Sequence, residues 1–126
     1  MYKSTINVLR YIIIILIFSC SKTNANNDSQ IVGKWMEFSA TPASNYSACD
    51  FQGSYIDLKS DNSYSEYSKC SNKITGGTYS KVGNTIVVTS SAFPIPVTLN
   101  IITLTSTDLI LEDTFMGSTD RVTYKR

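Results

Sequence analysis

The 126-residue chain carries 11 basic and 10 acidic side chains, no histidine and a formal charge of +1. Such a balance argues against a nucleic-acid-binding domain, which needs a clustered basic face. The missing imidazole removes Ser-His-Asp and Cys-His catalysis and the commonest metal ligand, so no catalysis, metal or cofactor is expected.

Residues 1–19 read as an export signal. Lys3 and Arg10 flank the start of an apolar run over 11–18, and small Ser19 stands directly before Cys20. That run is shorter than the roughly 20 apolar residues a bilayer span requires. Ile17, Ser19 and Cys20 resemble the lipobox of bacterial lipoproteins, in which the cysteine becomes the first mature residue and carries acyl chains such as palmitate; Phe18 is bulkier than that pattern usually has. The alternative is a plain secretory signal cleaved after a small residue. The resemblance implies lipid attachment at Cys20 and, because Ser21 is not the aspartate of inner-membrane retention, an outer-membrane lipoprotein of the bacterial envelope. Asp28 is the sole acidic residue of the tether, which favours the periplasmic face over the cell surface.

Residues 20–30 are then the lipidated cysteine and a polar tether, reaching roughly 15–20 Å if flexible. Assigning Cys20 to lipid leaves Cys49 and Cys70, and an even pair in an exported domain reads as a disulfide. No CxxC spacing marks them as redox-active.

From Ile31 onward, short runs rich in Tyr, Val, Ile and Thr alternate with period two, and no amphipathic helix is found. The expected strands cover 31–38, 54–59, 63–68, 77–81, 85–90, 97–105, 109–112 and 120–125. Eight sequential strands make a meander, and closing it removes both exposed edges of this small all-β domain. The predicted fold over 31–126 is an eight-stranded up-and-down antiparallel barrel, with a two-sheet β-sandwich as the alternative.

Connections at 60–62, 82–84 and 106–108 look tight, whereas those at 39–53, 69–76, 91–96 and 113–119 look long. Successive connections of such a barrel alternate ends, so the pattern predicts a closed bottom and an open mouth. Cys49 and Cys70 both fall at the mouth, as do the apolar side chains of Pro42, Tyr46, Phe51, Phe93, Pro94, Pro96, Phe115 and Met116. Two roles stay open for these side chains: a rim receiving a ligand or partner, or a plug folded inward.

Gly33-Lys34-Trp35 resembles the Gly-x-Trp that opens the first strand of the lipocalin and lipocalin-like family. The resemblance extends to Thr107-Asp108 in the sixth connection, where that family has Thr-Asp-Tyr, and to Arg126 after the last strand; Leu109 departs by replacing the tyrosine. It implies a small bacterial lipocalin-like lipoprotein in which Gly33, Trp35, Thr107, Asp108 and Arg126 are structural residues of the barrel floor. Pairing of first and last strands would bring Trp35 near Tyr124 and set the Arg126 guanidinium over the indole.

Asp57, Asp61 and Glu66 form the densest acidic group, but without the spacing of a calcium loop. They are expected on the outer face and turn of one hairpin. The leading functional expectation is a membrane-anchored protein holding a small apolar ligand at the open end of the barrel. The alternative is an interaction or inhibitor module whose mouth loops dock onto an envelope protein.

Overall fold

The computed structural model describes residues 28–126. The export signal, Cys20 and the tether up to residue 27 lie outside the described residues. A single helical turn, α1 (Asp28–Ile31), leads into eight strands: β1 (Gly33–Thr41), β2 (Tyr55–Leu58), β3 (Ser63–Ser68), β4 (Lys73–Val82), β5 (Thr85–Ser90), β6 (Val97–Leu104), β7 (Asp108–Phe115) and β8 (Ser118–Lys125). Each strand pairs antiparallel with the next, and β8 returns to β1, giving a closed up-and-down barrel. The sandwich alternative falls, because two separate sheets would leave β1 and β8 unpaired.

Period-two patterning places one face of each strand inside. Ile56 and Leu58 of β2, Tyr79 of β4, Ile86 of β5, Ile101 of β6 and Leu109 and Leu111 of β7 converge on one buried cluster with Trp35, Tyr64 and Tyr124. Fully burying side chains of this size contributes about 1.5–3 kcal/mol each, so this row of aliphatic and aromatic groups is the main source of stability. An eight-stranded barrel has room for a filled core or one small ligand. Here its lower part is filled by the protein itself.

The expected alternation of connection lengths holds only in part. Floor turns are short, at 59–62, 83–84 and 105–107. At the mouth, 42–54 and 91–96 are long, but the third connection shrinks to 69–72 and the seventh to 116–117. The polar stretch 113–119 was expected to loop. It pairs instead, Asp113 with Asp120 and Thr114 with Thr119, around a two-residue turn at Met116 (φ 51°) and Gly117 (φ 83°). Two consecutive positive φ angles match the twist of a tight hairpin, so the pairing wins over the polarity of the segment.

The floor is built around Trp35, which has no solvent exposure. Its Nε1 donates to the Ile31 carbonyl at 2.8 Å, and the Arg126 guanidinium lies 3.8 Å from the ring centroid. Arg126 also donates to the carbonyls of Gln30 and Val32 through Nη2, and its backbone N–H donates to Thr107. Ile31 was expected to begin the first strand. It ends the helical turn, and burying its side chain folds residues 28–32 beneath the barrel, so the domain starts a few residues before the expected boundary. Gly33 has φ 129°, and a Cβ there would come within 2.9 Å of Arg126 Nη2. Only glycine allows both that backbone and the guanidinium.

Replacing Arg126 with Ala is expected to lower stability by about 2 kcal/mol, the sum of a stacked cation and its carbonyl hydrogen bonds. Urea unfolding followed by Trp35 emission measures it, with Arg126→Lys giving a smaller loss.

Candidate functional site

The mouth is crossed by the long first connection. Within it, 3-10 turns at Ala43–Asn45 and Asp50–Gln52 bracket Tyr46, whose ring lies 6.1 Å from that of Phe51. The segment is held at separate points. Asn45 Nδ2 donates to Asp120 Oδ1 of β8 at 2.9 Å, and Cys49 is disulfide-bonded to Cys70 in the β3–β4 turn. At its end, buried Ser54 accepts from the Glu37 N–H through its carbonyl and from the Lys69 N–H through Oγ, both at 2.9 Å. The connection is thus a pinned roof rather than a free lid.

Asp50 Oδ2 accepts from Ser47 N–H, while its Oδ1 lies 2.9 Å from Cys70 Sγ. A bridged sulfur has no proton to donate, so that contact is not a hydrogen bond. For the same reason the convergence of Cys49, Asp50 and Cys70 within 4.8 Å is not a metal site, since neither sulfur is a thiolate.

The rim side chains divide. Tyr46 and Phe51 are half-buried in the roof, whereas Pro42 is exposed at its start. Phe93 is half-exposed on the β5–β6 loop; Phe115, at 64 % exposure, ends β7, and Met116, at 92 %, tips the hairpin. The latter three therefore do not plug the interior. At the opposite end, Thr107 and Asp108 lie with Gly33, Trp35 and Arg126: the Thr107 hydroxyl donates to Asp108 Oδ2 at 2.6 Å and Lys125 Nζ to Asp108 Oδ1 at 2.5 Å.

Beneath the roof the interior changes character. Glu37 follows Trp35 on the inner face of β1, and its register partner on β8 is Tyr124, itself opposite Leu109. Glu66 follows Tyr64 on the inner face of β3 and pairs with Ile56. Glu66 is therefore not on the outer face where the acidic group was expected; Asp57, one pleat away, has the outward orientation and Asp61 the turn. Asp113 and Asp120 are register partners in a row nearer the mouth. Burial, then the charges of Asp50 and Glu66, push the Glu37 carboxyl up to about 7. Burial raises Glu66 as well. The Tyr124 phenol is pushed upward by burial first, then by Glu37, Glu66 and Tyr46, and Tyr46 rises to about 12 through burial, Asp120, Glu37, Asp113 and Asp50. Both phenols consequently keep their protons in the physiological range. Cations of these strands turn outward: Lys34 lies over the Tyr55 ring, Arg121 pairs with Glu112 and Lys125 with Asp108.

A family model for the lipocalin-like domain matches residues 31–111. This chain belongs to the lipocalin-like family. The match covers β1 to the first half of β7, while β8 and Arg126, which close the barrel, lie beyond it. At the family level a lipocalin-like barrel suggests binding of a small hydrophobic ligand. Neither the curated proteins nor the solved structures contain a match to this chain.

Sequence reading missed Glu37, Glu66 and Tyr124. The signal was there in the pleat: Trp35-x-Glu37 and Tyr64-x-Glu66 each put a carboxylate on the face of a buried aromatic residue.

Two outcomes follow from this geometry. Reducing the Cys49–Cys70 bridge, or replacing Cys70 with Ser, is expected to cost about 3 kcal/mol by freeing the unfolded chain, read as a lower midpoint in denaturant. For Glu37, the folded carboxyl titrates above its unfolded value of 4.5, so its favourable contribution is complete below pH 4.5 and lost as pH rises through about 7. Thermal melting is expected to fall between pH 5 and pH 8 by the equivalent of about 1–2 kcal/mol after allowing for partial exposure, and Glu37→Gln is expected to flatten most of that slope. Asp61 and Asp108, both held below 3.8 by hydrogen bonds (Ser63, then Lys125), titrate outside this window.

Proposed function

We propose that the chain is a lipoprotein anchored through Cys20 in the bacterial outer membrane, facing the periplasm, whose barrel mouth binds a small ligand with an apolar body. The observation that carries the ligand reading is the polarity of the barrel. Its floor is sealed by Trp35 and Arg126, whereas its upper interior holds half-buried polar groups beneath a roof fixed at Cys70, Asp120 and Ser54. A few convergent polar groups set against apolar side chains are what ligand sites are made of. The lipid reading rests on Ile17, Ser19 and Cys20 alone, and the placement of the floor beside the chain's N-terminal end would turn the mouth away from the membrane. No catalytic role is proposed.

A second reading is favoured by a specific observation: Phe115, Met116, Phe93 and Ile95 are exposed around the mouth. Apolar side chains at loop tips suit docking onto an envelope protein.

Growth of a bacterial host expressing the full chain with an alkyne-labelled palmitate is expected to label the wild type and not Cys20→Ser; an unlabelled wild type would refute the anchor. Native mass spectrometry of the detergent-extracted protein is expected to show a small-molecule adduct released on unfolding. A folded protein with no adduct, together with a captured partner lost on changing Phe115 and Met116 to Ser, would favour the docking module instead.

A further inference from the structure

We propose that the upper interior of the barrel is a site for a primary ammonium ion with a short apolar body, its N–H groups shared among the Glu37 and Glu66 carboxylates and the Tyr124 hydroxyl. This rests on the ligand reading above and specifies the ligand's chemical class.

The first observation is the carboxylates themselves. Two half-buried glutamates face the inside of one small barrel, and among the described residues neither has an ion-pair or hydrogen-bond partner for its side chain. Buried charges are ordinarily paired. The charged and titratable groups that face Glu37 from the neighbouring elements are Asp50 and Tyr46 in the roof, Glu66 on β3 and Tyr124 on β8. None is cationic.

The second observation is independent. Tyr124 is only 7 % exposed, is the register partner of Glu37, and directs its phenol to where Glu37, Glu66 and Tyr46 act on it. Two residues before Glu66 on the same inner face of β3, the Tyr64 hydroxyl is buried and has no hydrogen-bond partner. Buried hydroxyls nearly always find a partner, so an unpaired one marks a place where something else is meant to bond.

The chemistry matches an ammonium group rather than a metal. Among the described residues neither glutamate belongs to a set of three ligand atoms within 4.8 Å of one another, as a divalent ion requires. A primary ammonium has three donors and no acceptor, and two carboxylates plus a phenolic oxygen accept all three. Tyrosine rings add attraction for a cation over their faces. The next inward row toward the mouth is apolar, with Ala40, Val122 and Leu111 in register, and would hold an alkyl or aryl body.

Calorimetric titration of the full chain in detergent, with matched blanks, compares hexylamine, hexanol, hexanoate and calcium. Hexylamine is expected to bind at least about tenfold more tightly than hexanol, the effect of charge-assisted hydrogen bonds, with hexanoate weakest. Its affinity is expected to rise from pH 5.5 to pH 8 as Glu37 ionises, since the amine stays charged throughout. Glu37→Gln and Glu66→Gln are each expected to remove about tenfold of amine affinity and leave hexanol unchanged, with melting curves confirming that both variants fold. Equal binding of hexanol and hexylamine, or preference for hexanoate, would overturn the ammonium site while leaving the ligand reading intact. Calcium binding that Glu37→Gln abolishes would replace it with a metal site. Binding of none of the probes would overturn the ammonium site and count against a mouth ligand as well.

Discussion

The stack between Trp35 and Arg126 locks the closed barrel at its floor. Trp35 stands near the start of β1 and Arg126 directly follows β8, so their contact can form only if the first and last strands pair. The indole is buried, its N–H occupied by Ile31, and the guanidinium covers its face while holding the carbonyls of Gln30 and Val32. One interaction thereby joins the first and last strands, folds residues 28–32 under the barrel and closes one end. Gly33 makes room for it, at the expense of conformational freedom that a folded position with φ 129° requires.

With one end sealed, function is confined to the other. The barrel divides along its axis into a packed aliphatic and aromatic floor and an upper interior where Glu37, Glu66, Asp113 and Asp120 face inward. Glu37 and Glu66 weaken the fold at neutral pH, because burial disfavours their charged form and, at Glu37, the charges of Asp50 and Glu66 disfavour it further. A small barrel with a filled core had apolar side chains available for those places and does not use them. Perturbed carboxyls are characteristic of functional sites, and here those of Glu37 and Glu66 lie at the end of the barrel that carries a roof fixed at several points.

Much of the fold was legible in the chain. Each of the eight strands was located by its period-two pattern, and the two cysteines left over from Cys20 proved to be bridged. The failures were local. Ser118 and Thr119 read as loop residues because they are polar, yet they extend β8, where antiparallel pairing with β7 supplies the hydrogen bonds that polarity does not predict. Ile31 read as a strand residue because it is β-branched, yet it ends a helical turn in which its carbonyl accepts from the Trp35 indole. Glu66 was assigned outward on its charge, although its spacing from Tyr64 put it on the inner face.

By itself the sequence determined the all-β class and the number and order of strands, because pleat periodicity and turn chemistry are local properties; the residues at the floor were marked by the family resemblance of Gly33-Lys34-Trp35, Thr107-Asp108 and Arg126. Tertiary structure alone decided which carboxylates share the interior. That depends on register across β1, β2, β3 and β8, strands far apart in the chain, and on a closure that brings Glu37 beside Tyr124. The electrostatic character of the mouth belongs to this assembled geometry, since a carboxyl group acquires its raised affinity for a proton only from the burial and the neighbours that closure supplies.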